Sequence, residues 1–207
     1  MKRTDRKERP RLQRLDPSYY LTSSWSGGTT TQIAIWPPEA VYAERSFLWR
    51  VSSATVELEA SDFTSLPDYE RQIATLEGGI VLSHNGGKPI FLAPFEVHAF
   101  SGADATHSVG RCRDFNLMLR RDALRGSMEA LELTEAPGRP RLCGPQEQLL
   151  LYCVEGTCRA ECPELPEQAA VCCLQAGEAL LLTGPGSLSM LGPARLMLCR
   201  MQPAGRS

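Results

Sequence analysis

This 207-residue sequence has few histidines, and it lacks long apolar runs and paired metal-binding motifs. No apolar run approaches the roughly 18 residues of a transmembrane helix, so we expect no membrane association. The three histidines, His84, His98 and His107, form no His-x-His pair, and the eight cysteines show no Cys-x-x-Cys spacing. Protein metal sites typically use imidazole and thiolate ligands at short paired spacings, so we expect neither a metal nor another cofactor.

The N-terminal segment is basic. Residues 1–14 hold seven Lys or Arg against two acids and contain no apolar stretch of a secretory signal. We therefore expect a cytoplasmic protein with reduced thiols. Basic arms can bind nucleic acid, but no aromatic or glycine-rich RNA-binding pattern accompanies this one. Our interpretation is a disordered arm over residues 1–10 and no nucleic-acid partner.

Most of the remaining chain is patterned as short strands. Residues 72–82 predict a strand, a glycine turn and a second strand, and Asn85-Gly86 is a strong hairpin turn. In residues 114–121 apolar and polar side chains alternate. Short strands at this close, even spacing predict an all-β barrel or sandwich.

The clearest strand covers residues 47–59 and carries an arginine in its middle. Arg50 and Ser52 fall on the same face, because side chains alternate along a strand. An arginine inside a barrel is unfavourable unless it is paired, and Asp114, Glu57 and Glu77 are candidate partners. Its planar guanidinium also suits a ligand carboxylate. Three interpretations of Arg50 therefore remain open: a structural ion pair with Asp114, an outward-facing side chain, or a contact with a ligand.

A weak internal repeat suggests two similar halves. Residues 75–78 (Thr-Leu-Glu-Gly) recur as residues 153–156 (Cys-Val-Glu-Gly), and each copy is followed by Leu-x-x-x-Glu, at 92–96 and at 174–178. Repeats of this kind indicate a duplicated structural unit. We therefore expect two β-barrel halves.

Three sequence blocks together resemble the HutD/Ves family. They are residues 25–32 (Trp-Ser-Gly-Gly-Thr-Thr-Thr-Gln), 49–56 (Trp-Arg-Val-Ser-Ser-Ala-Thr-Val) and 114–118 (Asp-Phe-Asn-Leu-Met), in this order and spacing. The resemblance covers roughly residues 20–121. It implies an all-β, double-stranded β-helix fold of the RmlC-like cupin type, in a bicupin arrangement with two jelly-roll halves. We place these halves at residues 11–136 and 146–207.

The same resemblance implies a role in binding rather than catalysis. HutD proteins are linked to histidine utilisation and Ves proteins to the stress response. HutD members are thought to bind small carboxylates such as urocanate or formylglutamate. We therefore expect a regulatory or stress-response protein whose partner is a small-molecule carboxylate, and a homodimer is compatible with the sequence. The candidate ligand-binding residues are Trp25, Thr30, Gln32, Arg50, Ser52, Asp114 and Asn116.

An enzyme remains the alternative. A metal-independent cupin enzyme of the isomerase or lyase type would hold a small anionic metabolite on Arg50 and use His98 or Tyr69 as acid or base. Catalysis of this kind needs a proton-transfer group within reach of the substrate. The enzyme hypothesis is therefore supported if His98 or His107 points into the same cavity as Arg50, and it is weakened if both side chains point away.

Overall fold

The structure is a computed structural model that describes residues 9–136 and 138–205. Residues 1–8, most of the predicted basic arm, lie outside the described residues. Antiparallel strands dominate the fold, joined by one short helix, α1 (Glu167–Ala170), and two 3-10 turns, Pro17–Tyr19 and Tyr42–Glu44. The strands of the described residues are β1 (Arg11–Leu15), β2 (Leu21–Trp25), β3 (Gly28–Trp36), β4 (Trp49–Val56), β5 (Ala60–Asp62), β6 (Tyr69–Glu77), β7 (Ile80–His84), β8 (Ile90–Leu92), β9 (Val97–Ser101), β10 (Thr106–Val109), β11 (Cys112–Arg120), β12 (Leu124–Leu133), β13 (Arg141–Cys143), β14 (Gln148–Glu161), β15 (Val171–Gln175), β16 (Ala179–Thr183), β17 (Gly186–Leu191) and β18 (Ala194–Pro203).

The described residues divide into two compact units, while the predicted domain bounds stay a prediction. Unit I comprises residues 16–130 and 203–205, and unit II comprises residues 9–15, 131–136 and 138–202. β1 belongs to unit II because it pairs with β16 along its whole length. The chain end belongs to unit I, where Ala204 N–H donates to Ala123 O at 2.9 Å. Pairings between segments so far apart in the chain cannot be read from local sequence patterns.

Unit I contains two antiparallel sheets. One has the order β2-β3-β4-β11-β6-β9, and the other has the order β5-β10-β7-β8. β4 and β6 both flank β11, so three long strands form the middle of the larger sheet. On β4 the aromatic face carries Trp49, which stacks on Trp36 at 6.4 Å between ring centroids. The opposite face carries Arg50 and Ser52, as the alternation along this strand predicted.

Unit II is built around the long strand β14, which pairs with β15, β16, β17 and β18. Its core consists of leucines and small thiols, including Leu149, Leu151, Cys153 and Cys158. All buried polar or charged side chains of the described residues lie in unit I instead. Because binding sites need polar groups beside apolar walls, unit I is the place to look for a site.

The internal repeat corresponds to the same backbone features in both units. Gly78 and Gly156 adopt left-handed φ angles of 71° and 78°, and each follows a register irregularity in its strand. In the second part of each repeat, Glu96 accepts a hydrogen bond from Ala93 N–H and Glu178 accepts one from Gln175 N–H, both at 2.9 Å. The all-β fold is confirmed, while the bicupin arrangement stays a prediction.

Candidate functional site

Unit I contains a cavity of about 290 Å³. The strands β2, β3, β4, β5, β6 and β11 contribute its walls, together with Tyr42, Phe63 and Thr64 from two connecting segments. A cavity of this size fits a small metabolite, whereas pockets for drug-sized ligands range from about 300 to 1,000 Å³.

Two arginines lie in one row across the middle of the larger sheet. Met118 on β11 is the cross-strand partner of Arg50 on β4 and of Arg71 on β6. Cross-strand partners share a face of the sheet, and all three side chains line the cavity. With strands about 4.8 Å apart, the backbones of the two arginines are only about 10 Å from each other. We call Arg50 and Arg71 the arginine pair.

Neutral groups hold Arg50 in place. Its Nε donates to Gln32 Oε1 at 2.8 Å, and its Nη1 donates to Ser52 Oγ at 3.0 Å. Its guanidinium carbon lies 4.2 Å from the ring centroid of Tyr42, and Arg45 stacks against the same ring at 3.9 Å. The Arg50 side chain forms no ion pair with any carboxylate of the described residues. Burial lowers the pKa of Arg50, because a buried charge loses its hydration.

The guanidinium of Arg71 makes longer hydrogen bonds than that of Arg50. Its Nη2 donates to Asn116 Oδ1 at 3.3 Å and its Nη1 to Thr64 O at 3.4 Å, both long for charged donors. Its buried Nε has no hydrogen-bond partner among the described residues. The side chain packs between Phe63 and Phe100, each ring centroid 5.0 Å from the guanidinium carbon. Burial, together with the positive charge of Arg50, lowers the pKa of Arg71 to about 10, so the group stays protonated at neutral pH.

Asp114 is the buried carboxylate of this site. Its Oδ1 accepts hydrogen bonds from Ala54 N–H and from Asn116 Nδ2, both at 2.9 Å. Burial raises the pKa of Asp114 to about 6, although these two hydrogen bonds and the positive charges of the arginine pair oppose that shift. Two buried guanidinium groups therefore face one buried carboxylate. The other lining carboxylate, Asp62, is exposed and pairs with His107. The buried part of the cavity therefore carries excess positive charge even when Asp114 is ionised, which is the condition under which a buried site binds an anion.

Six of the seven residues predicted from the sequence line this cavity: Trp25, Thr30, Arg50, Ser52, Asp114 and Asn116. The seventh, Gln32, contacts Arg50 directly. The other two candidate partners of Arg50 lie elsewhere. Glu57 is exposed, and Glu77 pairs with Arg113 at 3.2 Å.

Sequence reasoning missed Arg71 and Tyr42. The strand was predicted to begin at residue 72, whereas β6 begins at Tyr69 and therefore includes Arg71 on its inner face. Continuing the alternation backward from Ile73 would have found it. Tyr42 comes from a 3-10 turn in the connection between β3 and β4, and no periodicity predicts where such a segment folds.

The proton-transfer groups of the enzyme alternative do not line the cavity. The Tyr69 hydroxyl donates to Arg45 O and Phe47 O at 2.7 and 2.9 Å. His107 is half-exposed and pairs with Asp62 at 2.8 Å. His98 contacts the part-buried His84 instead. The described residues contain no group of three or more His, Cys, Asp or Glu side chains that could hold a metal ion.

Comparison with known sequences identifies relatives. The profile of the HutD family matches residues 18–198. Protein Ves from Cronobacter sakazakii is 32% identical over 121 residues, which cover 55% of this chain and 62% of that protein. Protein Ves from Citrobacter koseri is 33% identical over 114 residues, which cover 52% of this chain and 56% of that protein. The chain thus matches less than two thirds of the length of these curated relatives.

Comparison with solved structures identifies proteins with a similar fold. A conserved protein of unknown function, PA5104 from Pseudomonas aeruginosa PAO1, superposes with a TM-score of 0.79 at 25% identity, covering 94% of this chain and all of that one. HutD from Pseudomonas fluorescens SBW25, in a formate condition, gives 0.74 at 23% identity with the same coverage. Bacillus subtilis oxalate decarboxylase gives 0.66 at 6% identity, over 93% of this chain and 77% of that one, and shows the fold alone. No helix among the described residues is long and apolar enough to cross a membrane.

Proposed function

Because this chain belongs to the HutD family, we propose that it is a non-enzymatic binding protein for a small carboxylate, with a regulatory or stress-response role. The ligand would enter the unit I cavity and bind to the arginine pair. One observation carries the proposal: two buried guanidinium groups share the cavity with one buried carboxylate, Asp114, whereas the other lining carboxylate, Asp62, is exposed and pairs with His107.

The hydrogen bonds of the arginine pair leave donors for a ligand. Arg50 donates hydrogen bonds to protein groups through Nε and Nη1. Among the described residues, its Nη2 donates none. Within the described part of the chain, Arg71 donates only two hydrogen bonds, and both are long. A ligand carboxylate between the two side chains would accept charge-assisted hydrogen bonds from both, the geometry in which guanidinium groups bind anions most strongly. Asn116, Ser52 and Thr30 would add neutral contacts.

Binding without catalysis fits the other groups around the cavity. A general acid or base must lie within hydrogen-bond reach of the substrate. His98, His107 and Tyr69 are not part of the cavity wall. The buried carboxyl group there is Asp114, whose pKa is raised to about 6 and whose Oδ1 already accepts two hydrogen bonds. The isomerase or lyase alternative would therefore have to use Asp114 or another lining group such as Asp62 or Tyr42.

A thermal-shift panel of formate, acetate, glutarate, urocanate and formylglutamate tests the proposal on the wild type, Arg50→Gln and Arg121→Gln. A ligand at about 100 times its dissociation constant adds about 2.7 kcal/mol of stability, which corresponds to a rise in Tm of roughly 5–10 °C for a chain of this size. We expect such a rise in the wild type and in Arg121→Gln, whose arginine pairs with Glu70 at the surface. Equal stabilisation of Arg50→Gln would contradict the proposal. Conversion of a stabilising compound on incubation would favour the enzyme.

A further inference from the structure

Two histidines of unit I form a direct hydrogen-bonded pair that the cavity does not include. His84 at the end of β7 and His98 on β9 approach each other from the two sheets, with 2.9 Å between their Nε2 atoms. Their ring planes differ by 16° and their centroids are 5.1 Å apart. Nitrogens as close as 2.9 Å cannot belong to rings stacked face to face, so the imidazoles meet edge to edge. We call them the histidine pair.

One tautomer of each ring satisfies all the hydrogen bonds around this pair. In this tautomer the Thr106 hydroxyl donates to Asp104 O at 3.4 Å and accepts from His84 Nδ1–H at 2.8 Å. His84 Nε2 is then an unprotonated acceptor, and His98 Nε2–H donates to it. This leaves His98 Nδ1 as the unprotonated nitrogen, and it has no hydrogen-bond partner among the described residues.

This arrangement accepts one proton and resists a second. A proton on His98 Nδ1 creates an imidazolium whose Nε2–H still donates to His84, and the bond gains charge assistance. A further proton on His84 Nε2 would place two N–H groups against each other at 2.9 Å. The histidine pair is therefore a site for a single added proton. Burial, together with the neighbouring His84, lowers the pKa of the His98 imidazole.

An aromatic contact links this site to the arginine pair. The Phe100 ring lies 5.0 Å from the His84 ring and 5.0 Å from the guanidinium carbon of Arg71, so His84 is within 10 Å of Arg71. Phe100 and Arg71 are also cross-strand partners on β9 and β6. The charged groups facing the histidine pair from neighbouring elements are Arg71 on β6 and Asp104 before β10, whose carboxylate accepts from Asn85 and Ser101.

We propose that the histidine pair is a proton-binding site that strengthens anion binding at the arginine pair as pH falls. This inference rests on the proposed function. Phe100 contacts both the histidine pair and Arg71, so protonation places a third positive charge near Arg71, where it attracts an anion held by that side chain. At about 10 Å and an effective dielectric constant of about 25–60, the attraction corresponds to an affinity gain of about threefold to tenfold. By linkage, the bound anion raises the proton affinity of the histidine pair by the same factor.

Sodium formate binding, measured by calorimetry at pH 8 and pH 5.5 at constant ionic strength, tests the proposal on the wild type, His98→Gln and His107→Gln. Glutamine keeps a donor for His84 but takes up no proton in this range. Protonation of Asp114 also favours anions at low pH, but it contributes equally to all three proteins. We expect the affinity gain on acidification to be about threefold to tenfold larger in the wild type and His107→Gln than in His98→Gln.

Histidine side-chain NMR on the same proteins separates the outcomes. In the free wild type we expect one proton to be taken up, on His98 Nδ1, and formate should raise the pKa of that step by about 0.5–1. If formate binds but His98→Gln keeps the full pH dependence, the role of the histidine pair is wrong and the carboxylate site stands. If formate fails to bind at any pH, both the inference and the proposed function fail.

Discussion

Replacing Arg71 by methionine separates a binding role from a structural one. A structural arginine stabilises the folded protein, and its removal leaves a buried carboxylate without a partner. A ligand-binding arginine in a site with excess positive charge does the opposite in the free protein, because its burial opposes folding until an anion arrives. The variant Arg71→Met keeps much of the side-chain volume between Phe63 and Phe100 and removes only the charge and the donors.

The magnitude follows from the surroundings of Arg71. Its pKa falls from 12.5 to about 10, so keeping the buried guanidinium charged at neutral pH disfavours folding by about 3 kcal/mol. Against this stand two long hydrogen bonds, to Asn116 and Thr64, worth about 1 kcal/mol each. We therefore expect Arg71→Met without ligand to be as stable as the wild type or up to about 2 kcal/mol more stable.

Urea unfolding of the free proteins and of the proteins in acetate measures both effects. The control Arg121→Met removes a surface arginine paired with Glu70 and should change stability by less than about 0.5 kcal/mol. Acetate should stabilise the wild type and this control but not Arg71→Met. A decrease of more than about 2 kcal/mol in the unfolding free energy of ligand-free Arg71→Met would refute the reasoning. It would mean that Arg71 stabilises the fold by neutralising Asp114.

Three further outcomes follow from other parts of the structure. Because the pKa of Asp114 is raised from 3.8 to about 6, the folded state holds a proton that the unfolded state has lost, and the associated stability disappears as pH rises through 6. Relative to Asp114→Asn, the unfolding free energy of the wild type should fall by about 1 kcal/mol between pH 5 and pH 7 in urea titrations, and a rise would contradict this. Gly156→Ala would place a Cβ 2.0 Å from Pro193 O at a φ of 78°, whereas at Gly86, with a φ of 70°, no atom lies within 4 Å. In thermal unfolding Gly86→Ala should lose about 1 kcal/mol and Gly156→Ala at least twice that, and equal losses would argue against the close backbone approach. Ellman's reagent should modify only Cys173 and the half-buried Cys172 in the native protein and all eight cysteines after unfolding, and rapid native modification of more than two thiols would contradict the buried core of unit II.

Local patterns predicted much of the candidate site. The alternation along β4 placed Arg50 and Ser52 on the inner face, and the repeated Glu-Gly motif marked Gly78 and Gly156, whose conformations the structure shows to be equivalent. Such features depend on neighbouring residues in the chain, because side-chain direction alternates along a strand and left-handed turns favour glycine.

The features that the sequence did not reveal depend on long-range pairing. Arg71 becomes part of the site because β6 and β4 flank the same strand, β11. His84 meets His98 because their strands lie in different sheets that face each other, and β1 joins unit II through its pairing with β16. Strand order and register bring these residues together, and one sequence without homologues contains no direct signal for either.

Calorimetric titration with acetate and with acetamide tests the central claim most directly, since the two probes have nearly the same shape and differ in charge. If the excess positive charge of Arg50 and Arg71 creates the site, acetate binds with one-to-one stoichiometry, acetamide gives no heat of binding, and Arg71→Met abolishes the acetate signal. Equal binding of the two probes, or undiminished acetate binding to Arg71→Met, would contradict the account.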